Sequence, residues 1–229
     1  TKAFFYMESI DKIKAFIQEI PENIQIIAVS KTKPVEDILK VYETGHKVFG
    51  ENKAQELIRK QKELPEDIEW HMIGHMQSNK VKYIAPFVKL IHSVDSLKLM
   101  KVISKEAIKN DRVINCLIQI HIAKESTKFG FNIEEVHDIF NSDEYKNLKN
   151  INIIGLMGMS TFTDDMDMVR SEFRYLKKCF DDLKKQYFYN KNDFKELSMG
   201  MTNDYKVAIE EGSTMIRIGT LIFGEREYH

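Results

Sequence analysis

Apolar residues recur along this chain in two alternating rhythms. Between residues 8 and 20, Ile10, Ile13, Phe16, Ile17 and Ile20 share one face of a helix. The segment IQIIAVSKTKP at 24–34 then changes period. Ile24, Ile26, Ile27, Ala28 and Val29 form a run broken only by Gln25, which suits a strand buried on both faces. The run stops at Ser30, Lys31, Thr32 and Lys33. Pro34 follows, opening the next helix where a missing N–H does no harm.

The same exchange repeats to the end of the chain. Strands are expected at 24–30, 47–49, 69–73, 88–91, 113–122, 151–157, 194–199 and 215–218. After the helix at 8–20, further helices are expected at 35–43, 54–63, 97–109, 133–140, 166–187 and 203–211, with a short one capped by Ser78 and running through Tyr83 and Ile84. Gly45 and Gly212 are the helix stops. Strict alternation implies parallel strands, and eight such units can close on themselves. The expected fold class is therefore α/β: a single (β/α)8 TIM barrel over 1–229 with an extra N-terminal helix. An open doubly wound sheet would share this pattern, but no GxGxxG fingerprint follows the first strand.

Composition narrows the partners. The 229 residues are 43% hydrophobic and 30% charged, with 34 basic and 35 acidic side chains, so no bulk charge selects nucleic acid or an anionic membrane. Cys116 and Cys179 lie in an apolar run and an amphipathic helix, as reduced core thiols do. No apolar span has membrane-crossing length, and the cytoplasm is the expected location. His71 and His75 have the spacing of zinc ligands on a helix, but they fall on a strand and its loop, where that spacing is too long. No metal site is expected. Asp164, Asp165 and Asp167 lack the glycine and terminal glutamate of a calcium loop, and are expected to begin the long helix.

In a barrel, the segments after each strand converge on one face, where ligands bind. Lys31 follows strand one; Ser198, Gly200, Thr202 and Asn203 follow or end strand seven; Gly219 and Thr220 follow strand eight. Glycines admit close backbone approach and hydroxyls add donors, so the last two loops suit a phosphate. Tight-turn glycines would look the same. Arg217 lies inside an apolar strand, where an inward guanidinium requires an anion or acceptor and an outward one requires a salt bridge. A lysine at a strand end is equally what a solvated surface supplies. Taken together, an amine for an aldehyde carbon, a phosphate cradle and an arginine for a ring nitrogen suit pyridoxal phosphate. Asn52, ending strand two, could contact the ring or cap a helix; His75 could line the mouth, and Lys128 could offer a second amine.

The segments AVSKTKP (28–34), FGENKAQE (49–56), EWHMIGHMQSNK (69–80), ESTKFG (125–130), GLMGM (155–159), LSMGMTND (197–204) and GSTMIRIGTLIFG (212–224) fall in order at strand ends. On these, the chain resembles the pyridoxal phosphate homeostasis protein family, whose barrel is similar to the N-terminal domain of alanine racemase. The resemblance implies that Lys31 carries the cofactor as a Schiff base and that Arg217 faces the ring nitrogen. It further implies that Thr202, Gly219 and Thr220, helped by Ser198 and Gly200, hold the phosphate. Thr202 and Asn203 stand where serine and aspartate are usual. The implied role is intracellular buffering and delivery of the vitamin B6 cofactor without established catalysis, with cofactor-dependent apo-enzymes as recipients. A monomer is expected, without the C-terminal β domain that alanine racemase adds. A racemase-like enzyme is the alternative reading, although a site with one base lacks a proton donor on the opposite face of the substrate carbon.

Overall fold

The computed structural model of the chain describes residues 2–124 and 129–224, the first seven of these by backbone only. Helix α1 (Lys2–Glu19) precedes β1 (Gln25–Val29), α2 (Val35–Glu43), β2 (Val48–Glu51), α3 (Ala54–Glu63) and β3 (Glu69–Met72). A 3-10 turn (Ser78–Lys80) and α4 (Val81–Ile84) lead to β4 (Leu90–Val94), α5 (Leu97–Lys109) and β5 (Ile114–Gln119). Then come α6 (Ile133–Asn141), α7 (Asp143–Lys146), β6 (Ile151–Met157), α8 (Met166–Tyr187), β7 (Glu196–Met201), α9 (Tyr205–Glu210), β8 (Met215–Ile218) and α10 (Thr220–Phe223). All eight strands are parallel, in the order β1 to β8, and β8 pairs with β1 to close the barrel. The open-sheet alternative is excluded.

The strands are buried on both faces, and this is why sequences such as QIIAV of β1 read as apolar runs. Ile26 and Ala28 of β1, Trp70 of β3, Ile91 of β4 and Ile218 of β8 pack outward against helix residues such as Ile38, Leu57, Ile103 and Phe173. The alternate residues Ile27, Leu90, Leu117, Met157 and Met215 form a separate cluster inside the barrel. Burying one such side chain stabilises by roughly 1.5–3 kcal/mol, so the extensive outer layer holds the fold together. The smaller inner layer leaves room for polar groups and a ligand. Helix ends follow their local chemistry: Asp165 caps α8 by accepting from the N–H groups of Asp167 and Met168. Asn132 and Glu135 form a capping box on α6.

Two strands run past their expected ends into buried polar residues. β4 runs on through His92 and Ser93, both buried, where the sequence suggests that it stops at Ile91. β2 continues through Gly50 to Glu51, whose carboxylate is fully buried. β7 begins and ends two residues later than expected, because Phe194 stacks against Phe180 and Phe188 on the outer side instead of joining the ladder. Ser78 is the first residue of the 3-10 turn and does not cap it: Gln77 is the N-cap, with no side-chain hydrogen bond.

Candidate functional site

Strand alternation decides what points inward at the C-terminal end of the barrel. Ile27 and Val29 face the interior, and Lys31, two residues beyond Val29, continues that face. On the neighbouring strand Arg217 is in register with Ile27, and a side chain built on Gly219 would touch Val29 at 3.7 Å. The first and last strands thus bring the lysine and the β8 residues together. They line a cavity of about 480 Å³ with Lys33, Asn52, Thr202, Asn203, Asp204 and Thr220. The far wall is the loop after β6, from Met159 to Asp164. Such a volume falls in the range of about 300–1,000 Å³ in which small molecules bind.

Arg217 forms the cavity floor. It is 3% exposed, and burial pushes its pKa down to about 10, opposed by the nearby Asp204 carboxylate; it remains a cation at neutral pH. Its two terminal nitrogens donate to Ser198 Oγ at 2.6 Å and to the Gly158 carbonyl at 3.1 Å. A guanidinium has five donors. The cation therefore brings spare donor capacity to a cavity that it lines. Beneath it runs a polar row that the sequence did not reveal: Ser198 Oγ lies 2.9 Å from His92 Nδ1, and His92 Nε2 lies 2.9 Å from His71 Nδ1. With Arg217 donating to the serine oxygen, the serine hydrogen is directed to His92, and the His92 Nε2–H to His71. Burial holds both imidazoles neutral, with His71 pushed down to about 3 and His92 well below its ordinary value.

The expected site residues separate into two groups. Lys31, Asn52, Thr202, Arg217, Gly219 and Thr220 line one cavity. Ser198 and Gly200 do not. Ser198 is fully buried beneath Arg217, and Gly200, at φ 100°, turns the chain where a Cβ would lie 2.6 Å from Ala208 Cβ. Asn52 does not cap α3, whose N-cap is Lys53. His75 is absent from the lining; it approaches the Asp95 carboxylate at 3.1 Å and stacks on Phe129 at 4.0 Å. Lys128 lies outside the described residues. Among those described, no group of three or more His, Cys, Asp or Glu side chains could hold a metal ion, and no helix is long and apolar enough to cross a membrane.

Sequence reasoning missed several groups that build the site. Asp204 accepts from the Met201 N–H at 2.6 Å and from Ser160 Oγ at 2.6 Å, tying the β7 loop to the β6 loop. Lys33 donates to the carbonyls of Phe223 and Gly224 at 3.3 and 3.4 Å, which pins the end of α10. Behind Lys31, Lys60 is buried among Glu51, Glu56 and the Ser30 carbonyl. The available signal for Lys60 was its place at i+4 from Glu56 on the helical face that also carries Leu57.

Fold and site together define a barrel of the alanine racemase N-terminal domain type; that family matches residues 9–227. Within this class, the chain belongs to the pyridoxal phosphate homeostasis protein family. A protein of that name from Aquifex aeolicus is 43% identical over 206 residues, spanning 89% of this chain and 88% of its own. Among solved structures, PipY of Synechococcus elongatus superposes with a TM-score of 0.87 at 31% identity, covering 94% of this chain and 99% of PipY. PipY with pyridoxal phosphate bound gives 0.85. Alanine racemase of Bartonella henselae, at 12% identity and a TM-score of 0.67, shares the fold; the likeness covers 96% of this chain and 61% of the racemase.

Proposed function

We propose that this protein binds pyridoxal 5'-phosphate as a Schiff base on Lys31 and acts in the intracellular homeostasis of that cofactor, buffering and delivering it without catalytic turnover. The observation that carries this reading is the convergence of Lys31, Arg217, Thr202, Gly219 and Thr220 on one small cavity. The chemistry of the donor set fits the group. An amine stands at the rim for the aldehyde. A buried guanidinium with donors to spare lies on the floor for the pyridine nitrogen, and hydroxyls and backbone N–H groups lie beside it for the phosphate. PipY, a relative of matching fold, has the same cofactor bound.

When bound, the cofactor supplies an electrophilic carbon and, if its ring nitrogen is protonated, an electron sink. Arg217 opposes the second role, because a cation donating N–H to that nitrogen holds it unprotonated. Thr202 and Thr220 offer hydroxyls, and Gly219 a backbone with no side chain in the way, to the phosphate. Asn52, half-buried at the end of β2 beside β1, can donate to a ring substituent. These residues bind and orient the cofactor; a weak electron sink suits storage better than carbanion chemistry. That the curated relatives carry the name of homeostasis proteins supports the same conclusion.

Incubation with the cofactor should give the long-wavelength absorption of a lysine Schiff base. Borohydride reduction and peptide mapping should place the label on Lys31, and Lys31→Ala should lose both signals. A colourless wild type, or a label on another lysine, overturns the assignment. Incubation with single L-amino acids tests the racemase alternative: sustained racemisation or transamination would reject the storage role.

A further inference from the structure

Ser30, Lys31, Thr32 and Lys33 form a turn closed by the Lys33 N–H donating to the Ser30 carbonyl at 3.1 Å. Thr32, at its third position, has φ 63°, a left-handed conformation that glycine adopts freely and a β-branched residue avoids. Something must hold it there. The Thr32 N–H donates to Glu56 Oε1 at 2.7 Å, and the same oxygen accepts from Lys60 Nζ at 2.7 Å. Lys60 Nζ also donates to the Ser30 carbonyl at 2.6 Å and to Glu51 Oε1 at 2.7 Å; Glu51 Oε1 in turn accepts from Ser30 Oγ at 2.6 Å. The residues on both sides of Lys31 are thus fastened to one cluster. Its centre, Lys60 with Glu51, is fully buried, and the Glu56 side chain is 17% exposed.

The geometry points to Glu56, seated by Lys60, as a positioning residue for Lys31: by gripping the Thr32 N–H, it keeps the turn in the left-handed form that aims the lysine into the cavity. Neither Glu56, Lys60 nor Thr32 lines that cavity. The helix that follows β2 therefore controls a side chain on the loop after β1. The inference rests on the reading of Lys31 as the Schiff-base residue, and the wild-type labelling experiment tests that reading separately.

The test is a cycle of four full-length proteins: wild type, Glu56→Ala, Thr32→Gly and the double variant. Each is titrated with pyridoxal phosphate, reduced with borohydride and mapped, while circular dichroism reports folding. A charge-assisted hydrogen bond lost at Thr32 should lower the apparent affinity for attachment at Lys31 about tenfold in Glu56→Ala. Thr32→Gly alone should label nearly as wild type. In the glycine background, loss of Glu56 should cost at most about threefold, because glycine reaches the same backbone form unaided. Glu56→Gln, which keeps an acceptor oxygen, should recover most of the labelling. Equal losses from Glu56→Ala in both backgrounds, or a Glu56→Ala protein that labels as wild type, overturn the inference. A wild type without label at Lys31 removes its foundation and overturns it as well.

Discussion

Lys60→Met is the perturbation that most directly tests whether the buried charge behind the site is structural. Lys60 donates to three acceptors, the Ser30 carbonyl, Glu51 and Glu56, at 2.6, 2.7 and 2.7 Å. Methionine removes the cation and all three bonds at similar length. Glu56 can rotate toward water, but Glu51 cannot: it is fully buried, and its Oε2 has no hydrogen-bond partner among the described residues. Breaking a buried pair from one side typically costs about 3–5 kcal/mol, against a total stability of about 5–15 kcal/mol for a domain. Burial already raises the Glu51 pKa, while Lys60 and Ser30 pull it down. Without the cation the carboxyl is raised further. The native state then holds a proton that the unfolded chain has released above about pH 4.3, so the stability of the variant falls as pH rises from there. Urea denaturation at pH 5 and pH 8 measures this. The loss relative to wild type should be larger at pH 8, and adding Glu51→Gln should recover part of it and flatten the pH dependence. A variant within about 1 kcal/mol of wild type at both pH values would refute the reasoning, since an uncompensated buried carboxylate cannot be that cheap.

The neutral histidines of the inner row give a pH dependence of opposite sign: with both pKa values lowered by burial, the unfolded chain takes up protons below about pH 6.5 that the native row refuses. Stability should fall on acidification by up to about 1.4 kcal/mol per pH unit for each histidine, and His71→Gln should remove one share of that slope in urea melts between pH 7 and pH 5. Arg217→Met should weaken cofactor attachment at Lys31 by tenfold or more in the labelling titration, because charge-assisted bonds contribute about 1.5–3 kcal/mol. Gly155→Ala should cost more than about 4 kcal/mol by denaturation, because its Cβ would lie 1.7 Å from the Glu196 carbonyl oxygen across the β6–β7 ladder.

The barrel was legible because eight doubly buried strands leave apolar runs that alternate with helical periodicity. α2, α3, α5, α8 and β6 were expected at the residues where they are found. The cavity lining was legible where polar residues follow a strand, as at Lys31, Thr202 and Thr220. What the sequence hid was polarity inside the strands themselves. Glu51, His92 and Ser93 look like strand ends, because a charged or polar residue ordinarily marks the point where burial stops; only the closed barrel shows what each of them meets. Ser198 and Gly200 were expected at the phosphate for a related reason. Sequence places them at the end of the right strand but does not say that one lies beneath the arginine and the other serves a break in the strand's register.

Because β8 closes against β1, the two halves of the cavity come from residues almost two hundred positions apart in the chain. During synthesis, the lysine emerges early and waits for its partners until the final strand docks. No fragment ending before Gly219 can hold the ligand as the finished barrel would, so occupancy reports completion of the fold. A ligand held as proposed, between the lysine and the β8 residues, would bridge the closing seam, and the bound protein should then resist prising apart along that line more than along any other pair of strands.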